Sequence, residues 1–344
     1  MHTNYVSTAA LRNAPRSEIV RLQSELTDKT VEIATQRHAD VGLALGADTG
    51  RSVGTRMDLS LVETLMVSNG SATARLEQTQ AALSDLETLA SEMMASLTAL
   101  PPGNAAATTL TIQAQSSLDR FVDRLNASDG GSYIFGGQRT DARPMERFDG
   151  GPSAGLEASF FARFGMLPSD PAVSTISPAD MTDYLRNEYA ADFDDPAWTT
   201  NWSNASSVDV VSRISPAERL VTGTNANEEA FRTLAKGMAI LAHLDGAFSQ
   251  ETRNAIVDEM RVVIGESITQ VVSLKGKLGF AENAIKKADE RMSLSRDILK
   301  TKIADLEGSD PVEAKVRIDL ITTQIEMSYA LTNQLSRLSI LNYA

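Results

Sequence analysis

The stretch from Pro311 to Ala344 constrains the fold of this chain more than any other. Pro311 suits the first turn of a helix, and neither glycine nor proline follows it. Two apolar stripes run along this segment at helical spacings. The first stripe holds Val316, Leu320, Met327, Leu331, Leu338 and Leu341, and the second holds Ile318, Ile321, Ile325 and Leu335. A helix that is apolar on two adjoining faces needs a partner on each side, so we expect one of the two partners to be another molecule.

A candidate first partner lies near the amino terminus. Apolar residues repeat there at helical spacings, with charged residues around them: Ile19, Leu22, Leu26 and Ile33. This pattern is typical of a coiled-coil seam. We therefore predict that the two terminal helices pair. The predicted assembly interface consists of these four residues together with Val316, Leu320, Met327, Leu331, Leu335, Leu338 and Leu341. The alternative interpretation of both stripes is an ordinary helical-bundle core.

Helical periodicity also fills most of the chain between the two ends. It predicts a long helix over 56–100, a shorter one over 105–127, another over 227–245 and a second long one over 249–306. A glycine-rich segment, 38–55, is predicted to be a loop. The predicted fold class is mainly α: an elongated antiparallel helical rod with a small mixed or β-rich domain inserted at its tip.

Composition divides this rod into five predicted segments. Residues 1–45 are the amino-terminal helix, 46–139 and 225–308 are the two halves of the rod, 140–224 are the insert, and 309–344 are the terminal helix. The insert is rich in proline and acidic residues and contains both tryptophans, Trp198 and Trp202, which suggests an outward binding surface. A brief predicted β-strand marks the junction between rod and insert at Tyr133, Ile134, Phe135, Gly136 and Gly137.

The bulk composition argues against several classes of function. The chain has no cysteine, so thiol and zinc-thiolate chemistry are excluded. Its formal net charge of −13 argues against a nucleic-acid partner. The three histidines, His2, His38 and His243, are far apart in the sequence, so we expect no metal site and no catalytic site. We also expect no cofactor, no membrane insertion and no secretory signal peptide.

Three segments resemble the bacterial flagellin superfamily, in the order and at the places expected of it. Leu22–Arg37 resembles the family's amino-terminal helix, although Gln36 stands where the family's signature has glycine. Gly131–Gly137 resembles the family's Tyr-Ile/Leu-Phe strand, which precedes the variable domain. Leu331–Ala344 resembles the carboxyl-terminal helix. Its Leu-Ser-Ile-Leu-Asn-Tyr ending is more similar to the hook-associated protein 3 branch, at the hook–filament junction, than to filament flagellins.

This resemblance implies a structural subunit without catalytic activity. The terminal helices would line the inner tube of an axial filament, and the insert would project outward. The implied partners are other copies of the chain, hook-associated protein 1 and flagellin, with an export chaperone that guards the carboxyl-terminal helix. The implied location is the extracellular flagellum, reached through the flagellar type III export channel without a cleaved signal.

Two other functions stay open at this point. A filament flagellin would share these segments but would be found along the whole filament. A cytoplasmic coiled-coil scaffold or signalling protein would use the same heptads to form stable helical dimers and would not be exported. An enzyme is the weakest of the alternatives, since no nucleophile–base set or cofactor loop is present in the sequence.

Overall fold

The computed structural model describes residues 8–99, 104–243 and 247–341, with side chains described over 16–99, 107–242 and 247–334. The predicted class, mainly α with a small β component, is confirmed. The described helices are α1 (Thr8–Thr35), α2 (Val41–Leu45), α3 (Thr49–Thr98), α4 (Asn104–Leu125), α5 (Gly151–Phe164), α6 (Pro178–Arg186), α7 (Glu188–Ala191), α8 (Ala197–Asn201), α9 (Glu229–Ala239), α10 (Gln250–Glu307) and α11 (Pro311–Leu341). Three short 3-10 segments accompany them at Gly46–Asp48, Pro171–Thr175 and Leu241–His243.

The described strands form two antiparallel hairpins. In the first, β1 (Ser128–Asp129) pairs with β2 (Ser132–Tyr133). In the second, β3 (Val211–Arg213) pairs with β4 (Arg219–Val221). The predicted strand after Gly131 is therefore shorter than expected. The paired strand ends at Tyr133, although the Ile134 N–H still donates to the Ala127 carbonyl oxygen at 3.0 Å, and Ile134 and Phe135 are buried.

Helices α3 and α10 are antiparallel, as predicted. Gln80 Nε2 donates to the carbonyl oxygen of Lys275 at 2.9 Å, and Lys275 Nζ in turn pairs with Glu87 at 2.7 Å. Further along, Arg261 Nε donates to the carbonyl oxygen of Leu97 at 3.2 Å. Position numbers rise on one helix as they fall on the other, which fixes the antiparallel direction.

The predicted loop over 38–55 is wrong. Only 36–40 and Gly46, which has φ +51°, leave the helical conformation. Asp40 then caps α2 by accepting a hydrogen bond from the Leu43 N–H at 2.8 Å, and α3 already begins at Thr49. Glycine in a helix interior costs about 1 kcal/mol relative to alanine. That cost is small beside the packing of a helix as long as α3, so Gly50 and Gly54 lie inside the helix.

The insert is built from short helices around an aromatic core. Proline starts several of these pieces, because its missing N–H is tolerated in a first helical turn. Trp198 and Trp202 stack with ring centroids 5.4 Å apart, and both rings are fully buried. The two tryptophans therefore cannot supply an outward binding surface, and an outward binding role for 140–224 stays a prediction. Their rings hold the core of this segment together.

The described chain folds into two compact units. One consists of the described residues of Met1–Thr64 with those of Met292–Ala344, and the other is Leu65–Arg291. The terminal helices belong to the first unit and the insert belongs to the second. The five-segment division drawn from composition stays a prediction.

Candidate assembly interface

The two terminal helices pair within one chain. On α1, Ile19 and Leu22 are buried, and Leu26 and Ile33 are half-buried. On α11, Ala314 and Ile321 are buried, and Ile318 and Ile325 are half-buried. The second apolar stripe of α11 therefore faces α1. On both helices the buried and half-buried residues recur at helical spacing, so they lie on one face of each helix.

Polar contacts fix the register of this pair. Arg317 Nε donates to Glu25 Oε1 at 2.7 Å, and Gln23 Nε2 donates to the Tyr329 hydroxyl at 3.3 Å. These residues flank the apolar seam between α1 and α11. A slip of one helical turn would break both contacts, so they set which turns of the two helices meet.

The first apolar stripe of α11 is left open. Val316 is 65% exposed, Leu320 47%, Met327 55% and Leu331 57%. Val312, one turn earlier, is also exposed. Burying a large aliphatic side chain is worth about 1.5–3 kcal/mol, so a row of exposed ones on a single helix face marks a surface for another chain.

Two grooves run beside this open stripe. One has a volume of about 730 Å³ and is lined by Val316 and Leu320 together with Lys29 and Glu32 of α1. The other has a volume of about 440 Å³ and is lined by Met327 and Leu331 together with residues of α1 that include Arg21. On the α11 side of each groove, two residues of the open stripe alternate with polar and charged residues, among them Arg317, and charged residues of α1 line the other side. The side chains of Leu335, Leu338 and Leu341, which belong to the same predicted interface, lie outside the described residues.

A buried carboxylate that the sequence analysis missed ends α10. Glu307 is 1% exposed and receives Arg56 Nε at 2.7 Å, Arg37 Nε at 2.7 Å and the hydroxyl of Ser52. The hydrogen bond from Arg56 lowers the pKa of Glu307 to about 2, against burial, which raises it. One carboxylate therefore joins the end of α10 to α3 and to the turn after α1.

A second buried carboxylate, Glu32, holds the connection between α10 and α11. It accepts from Ser309 Oγ at 2.9 Å, from Lys29 Nζ at 2.8 Å and from the Ala39 N–H at 3.3 Å. Burial alone would raise the pKa of Glu32, but these hydrogen bonds lower it below its ordinary value. Both carboxylates look like ordinary coiled-coil charges in the sequence, because their partners are distant along the chain.

The departure at Gln36 has a structural consequence. Gln36 follows the last residue of α1 with φ +54°, a left-handed conformation that favours glycine. Its carbonyl oxygen accepts from the Ser309 N–H at 3.2 Å, and the adjacent Arg37 forms a bridge with Gly308. This turn brings the end of α1 to the start of α11. It is therefore retained here, although glutamine pays a conformational cost at a position that favours glycine.

The segment Tyr133–Gly137 joins the two connections of the insert. Phe135 is fully buried edge-on against Phe231, with ring centroids 5.5 Å apart, and its carbonyl oxygen accepts from the Ala226 N–H at 2.8 Å. Ile134 is buried, and Tyr133 is half-buried. The outgoing and returning chain therefore lie side by side at this point.

Close backbone approach accounts for both glycines of this segment. A Cβ at Gly136 would lie 2.3 Å from the carbonyl oxygen of Arg139, and one at Gly137 (φ +61°) would lie 2.3 Å from that of Ser206. Both distances are shorter than real Cβ contacts, so a side chain at Gly136 would distort its own turn and one at Gly137 would push the two connections apart.

Within the described residues, no group of three or more histidine, cysteine, aspartate or glutamate side chains is placed to hold a metal ion. Over the same part of the chain, no helix is long and apolar enough to cross a membrane.

Comparison with known proteins gives two family matches. The bacterial flagellin N-terminal helical region matches residues 6–140, and the bacterial flagellin C-terminal helical region matches residues 262–344. Together the two matches span more than half of the chain. Among the curated proteins, no sequence matches this chain.

The fold is also similar to a solved structure from Vibrio parahaemolyticus, of a protein provisionally assigned as flagellar hook-associated. That structure is 11% identical in sequence, with a TM-score of 0.52, and the similarity covers 76% of this chain and 97% of the other. At this level of identity the similarity shows a shared fold.

Proposed function

Since this chain belongs to the flagellin superfamily and is a structural, exported subunit of the bacterial flagellum, we propose that its place is the hook–filament junction. Its role there is to link hook-associated protein 1 below to flagellin above. Subunits of this family self-associate and are not enzymes. The terminal segments 1–45 and 309–344 form the inner wall in this proposal, and 140–224 face outward.

One observation carries the role of the terminal helices. Helix α11 buries one apolar stripe against α1 and leaves the other, from Val316 to Leu331, open to solvent. A chain that keeps such a stripe uncovered completes its burial only when a neighbour arrives. The same open stripe is a suitable binding surface for the export chaperone before assembly.

The choice of the junction over the filament rests on two lines of support. The ending Leu-Ser-Ile-Leu-Asn-Tyr resembles that of junction proteins, and the protein from Vibrio parahaemolyticus with a similar fold is assigned as hook-associated. A filament flagellin is the competing position. Immunogold labelling of isolated flagella separates the two: the junction predicts label only at the base of the filament, and label along its whole length would overturn the proposal.

A matched pair of substitutions tests the open stripe. Leu331→Asp places a charge on the exposed face, so we expect normal folding of the monomer and loss of assembled flagella. Ile321→Asp places the same charge in the buried seam, so we expect the monomer itself to lose roughly 3 kcal/mol or more. The measurements are thermal unfolding of the purified chain and electron microscopy of cells. Normal filaments in the Leu331→Asp strain would contradict the assembly role of this stripe.

A further inference from the structure

The hairpin formed by β3 and β4 carries an unusual pair of charges. Its exposed face consists of Val211 and Arg213 on β3 and Arg219 and Val221 on β4, and we call this set the arginine face. Register places Val211 opposite Val221 and Arg213 opposite Arg219. Like charges directly opposite each other on one sheet face are destabilising.

No acid within the described part of the chain relieves this repulsion. Arg213 donates to the backbone carbonyl oxygens of Ser215 and Pro216 in its own turn, and neither arginine forms an ion pair with a described carboxylate. The one acidic residue of the turn, Glu218, pairs with Arg291 instead, at 3.3 Å. Two arginines without acidic partners are conspicuous in a chain whose formal net charge is −13.

A groove of opposite charge lies between α3 and α10. Its volume is about 550 Å³, and its lining includes four acidic residues against a single lysine, Lys286. We call these four the acidic groove: Glu77, Glu282, Asp289 and Glu290. Oε1 of Glu282 is buried there without a hydrogen-bond partner, and burial together with the charge of Glu77 raises the pKa of Glu282. The groove therefore holds an excess of negative charge that the described residues do not neutralise.

The hairpin and the groove border each other on the same two helices, since Asn69 Nδ2 donates to the carbonyl oxygen of Ile214 at 2.9 Å and to Asp289 Oδ1 at 2.6 Å. The hairpin sits against α10 at Arg291, which is nine residues from Glu282 and therefore half a turn round the helix. On α3 it sits against Arg75, whose Nη2 donates to Thr222 at 3.4 Å. Arg75 is two residues, or about 200°, from the groove residue Glu77. Within the described part of the chain, neither arginine of the arginine face forms an ion pair with an acid of the groove.

We propose that the arginine face of one chain docks into the acidic groove of a second copy. Charge complementarity selects the partner, because each surface lacks a counterion in its own chain and finds one in the other. Val211 and Val221 add apolar area beside the arginines. Since the two surfaces differ, the contact is head-to-tail and builds a ring or a helical array instead of a closed two-fold dimer. This proposal rests on the self-association of the family and not on the hook–filament position.

Site-specific cross-linking tests the contact directly. The chain has no cysteine, so Val221→Cys and Asn283→Cys each introduce a single thiol, one beside the arginine face and one lining the acidic groove, and the charges stay intact. Both variants are co-expressed, and the isolated flagella are treated with a short bis-maleimide. We expect covalent dimers from the mixture and none from either variant alone. Phe161→Cys, exposed on α5, with Asn283→Cys is the matched control pair and should give none.

Charge reversal then tests whether the contact depends on the arginines and the acidic residues. Arg213→Glu with Arg219→Glu in the Val221→Cys chain should lower the cross-link yield at least tenfold. Adding Glu282→Lys and Glu290→Lys to the Asn283→Cys chain should restore the yield. Arg213 donates a hydrogen bond to its own turn, so the double reversal could disturb the hairpin. In that case the single substitution Arg219→Glu replaces it in the test.

The outcomes distinguish failure of this contact from failure of the proposed hook–filament position. Flagella that contain both cysteine variants but give no dimer, or give as much dimer with the control pair, overturn the docking. An unchanged yield after charge reversal overturns it as well. Absence of the protein from flagella would overturn the junction position. In that case the same cross-link, made on the concentrated purified chains, still decides the contact.

Discussion

Replacing Glu307 by glutamine removes the charge that joins α10 to α3 and to the turn after α1, and it keeps the shape of the side chain. The carboxylate has a pKa of about 2 in the folded chain and an ordinary value of 4.5. Each pKa unit corresponds to about 1.4 kcal/mol, so ionised Glu307 contributes roughly 3 kcal/mol near neutral pH. Arg37 and Arg56 are each 45% exposed, which places the expected loss at the lower end of the roughly 3–5 kcal/mol that follows from breaking a buried pair.

The pH dependence of this loss follows from the sign of the shift. Because the folded pKa lies below the unfolded one, the contribution is fully present above the unfolded pKa and disappears as the pH falls through the folded one. Near pH 3 about 1.4 kcal/mol should remain, and near pH 2 almost none. The stability of wild type and Glu307→Gln should therefore converge in acid.

Urea unfolding of wild type and Glu307→Gln near pH 7 and pH 3 measures this difference. Trp198 and Trp202 both belong to the unit Leu65–Arg291, so fluorescence follows that unit, and far-ultraviolet circular dichroism follows all helices. The substitution should shift the dichroism transition and leave the fluorescence transition in place. The control Glu63→Gln breaks an exposed pair with Lys300 and should change stability by less than about 0.5 kcal/mol. A loss below about 1 kcal/mol near neutral pH, or one independent of pH, would refute the reasoning.

Three further substitutions test local features. Gln36→Gly should raise the thermal unfolding temperature, since it relieves a left-handed conformation worth about 1 kcal/mol, and a lower temperature would count against that interpretation. Gly137→Ala should cost more than about 2 kcal/mol in urea unfolding followed by tryptophan fluorescence, because its Cβ would meet the carbonyl oxygen of Ser206. Gly130→Ala, with positive φ but open space, is its control and should cost about 1 kcal/mol. Tyr189→Phe removes a buried hydroxyl that donates to the Lys236 carbonyl oxygen at 2.6 Å, and should cost about 1–3 kcal/mol in the same assay.

The long helices could be predicted from the sequence because their apolar periodicity runs for many turns. The segment 38–55 could not, since a count of glycines says little about a helix that neighbouring turns and tertiary contacts sustain. The mixed character of the insert could be predicted, but its prolines look like turn signals, whereas Pro152 and Pro178 lie in the first turns of helices. Local spacing reveals helices, but it does not show which proline begins one.

The candidate interface, too, could be predicted only in part. Two apolar stripes on α11 can be seen in the sequence, but only the structure shows that the stripe of Ile321 is covered by α1 and that the stripe of Leu320 is open. Glu32 and Glu307 give no signal in the sequence, because a glutamate among heptad charges is normally solvated. The partner Ser309 lies 277 residues from Glu32, and Ser52 lies 255 residues from Glu307. Burial of a charge depends on such long-range contacts, which no local pattern encodes.

The antiparallel bridge between Gly136 and Asn225 makes the intervening segment a cassette with adjacent ends. Its entry and exit are already held together by backbone hydrogen bonds that do not involve the side chains of the cassette. Closing a longer or shorter loop between two fixed, adjacent ends changes the conformational entropy only slowly with length. A foreign domain whose own termini lie close together would therefore fit the same entry and exit, but it would remove the contacts of 141–224 with the helices, such as those of Ile176 with Thr252 and of Ile214 with Asn69.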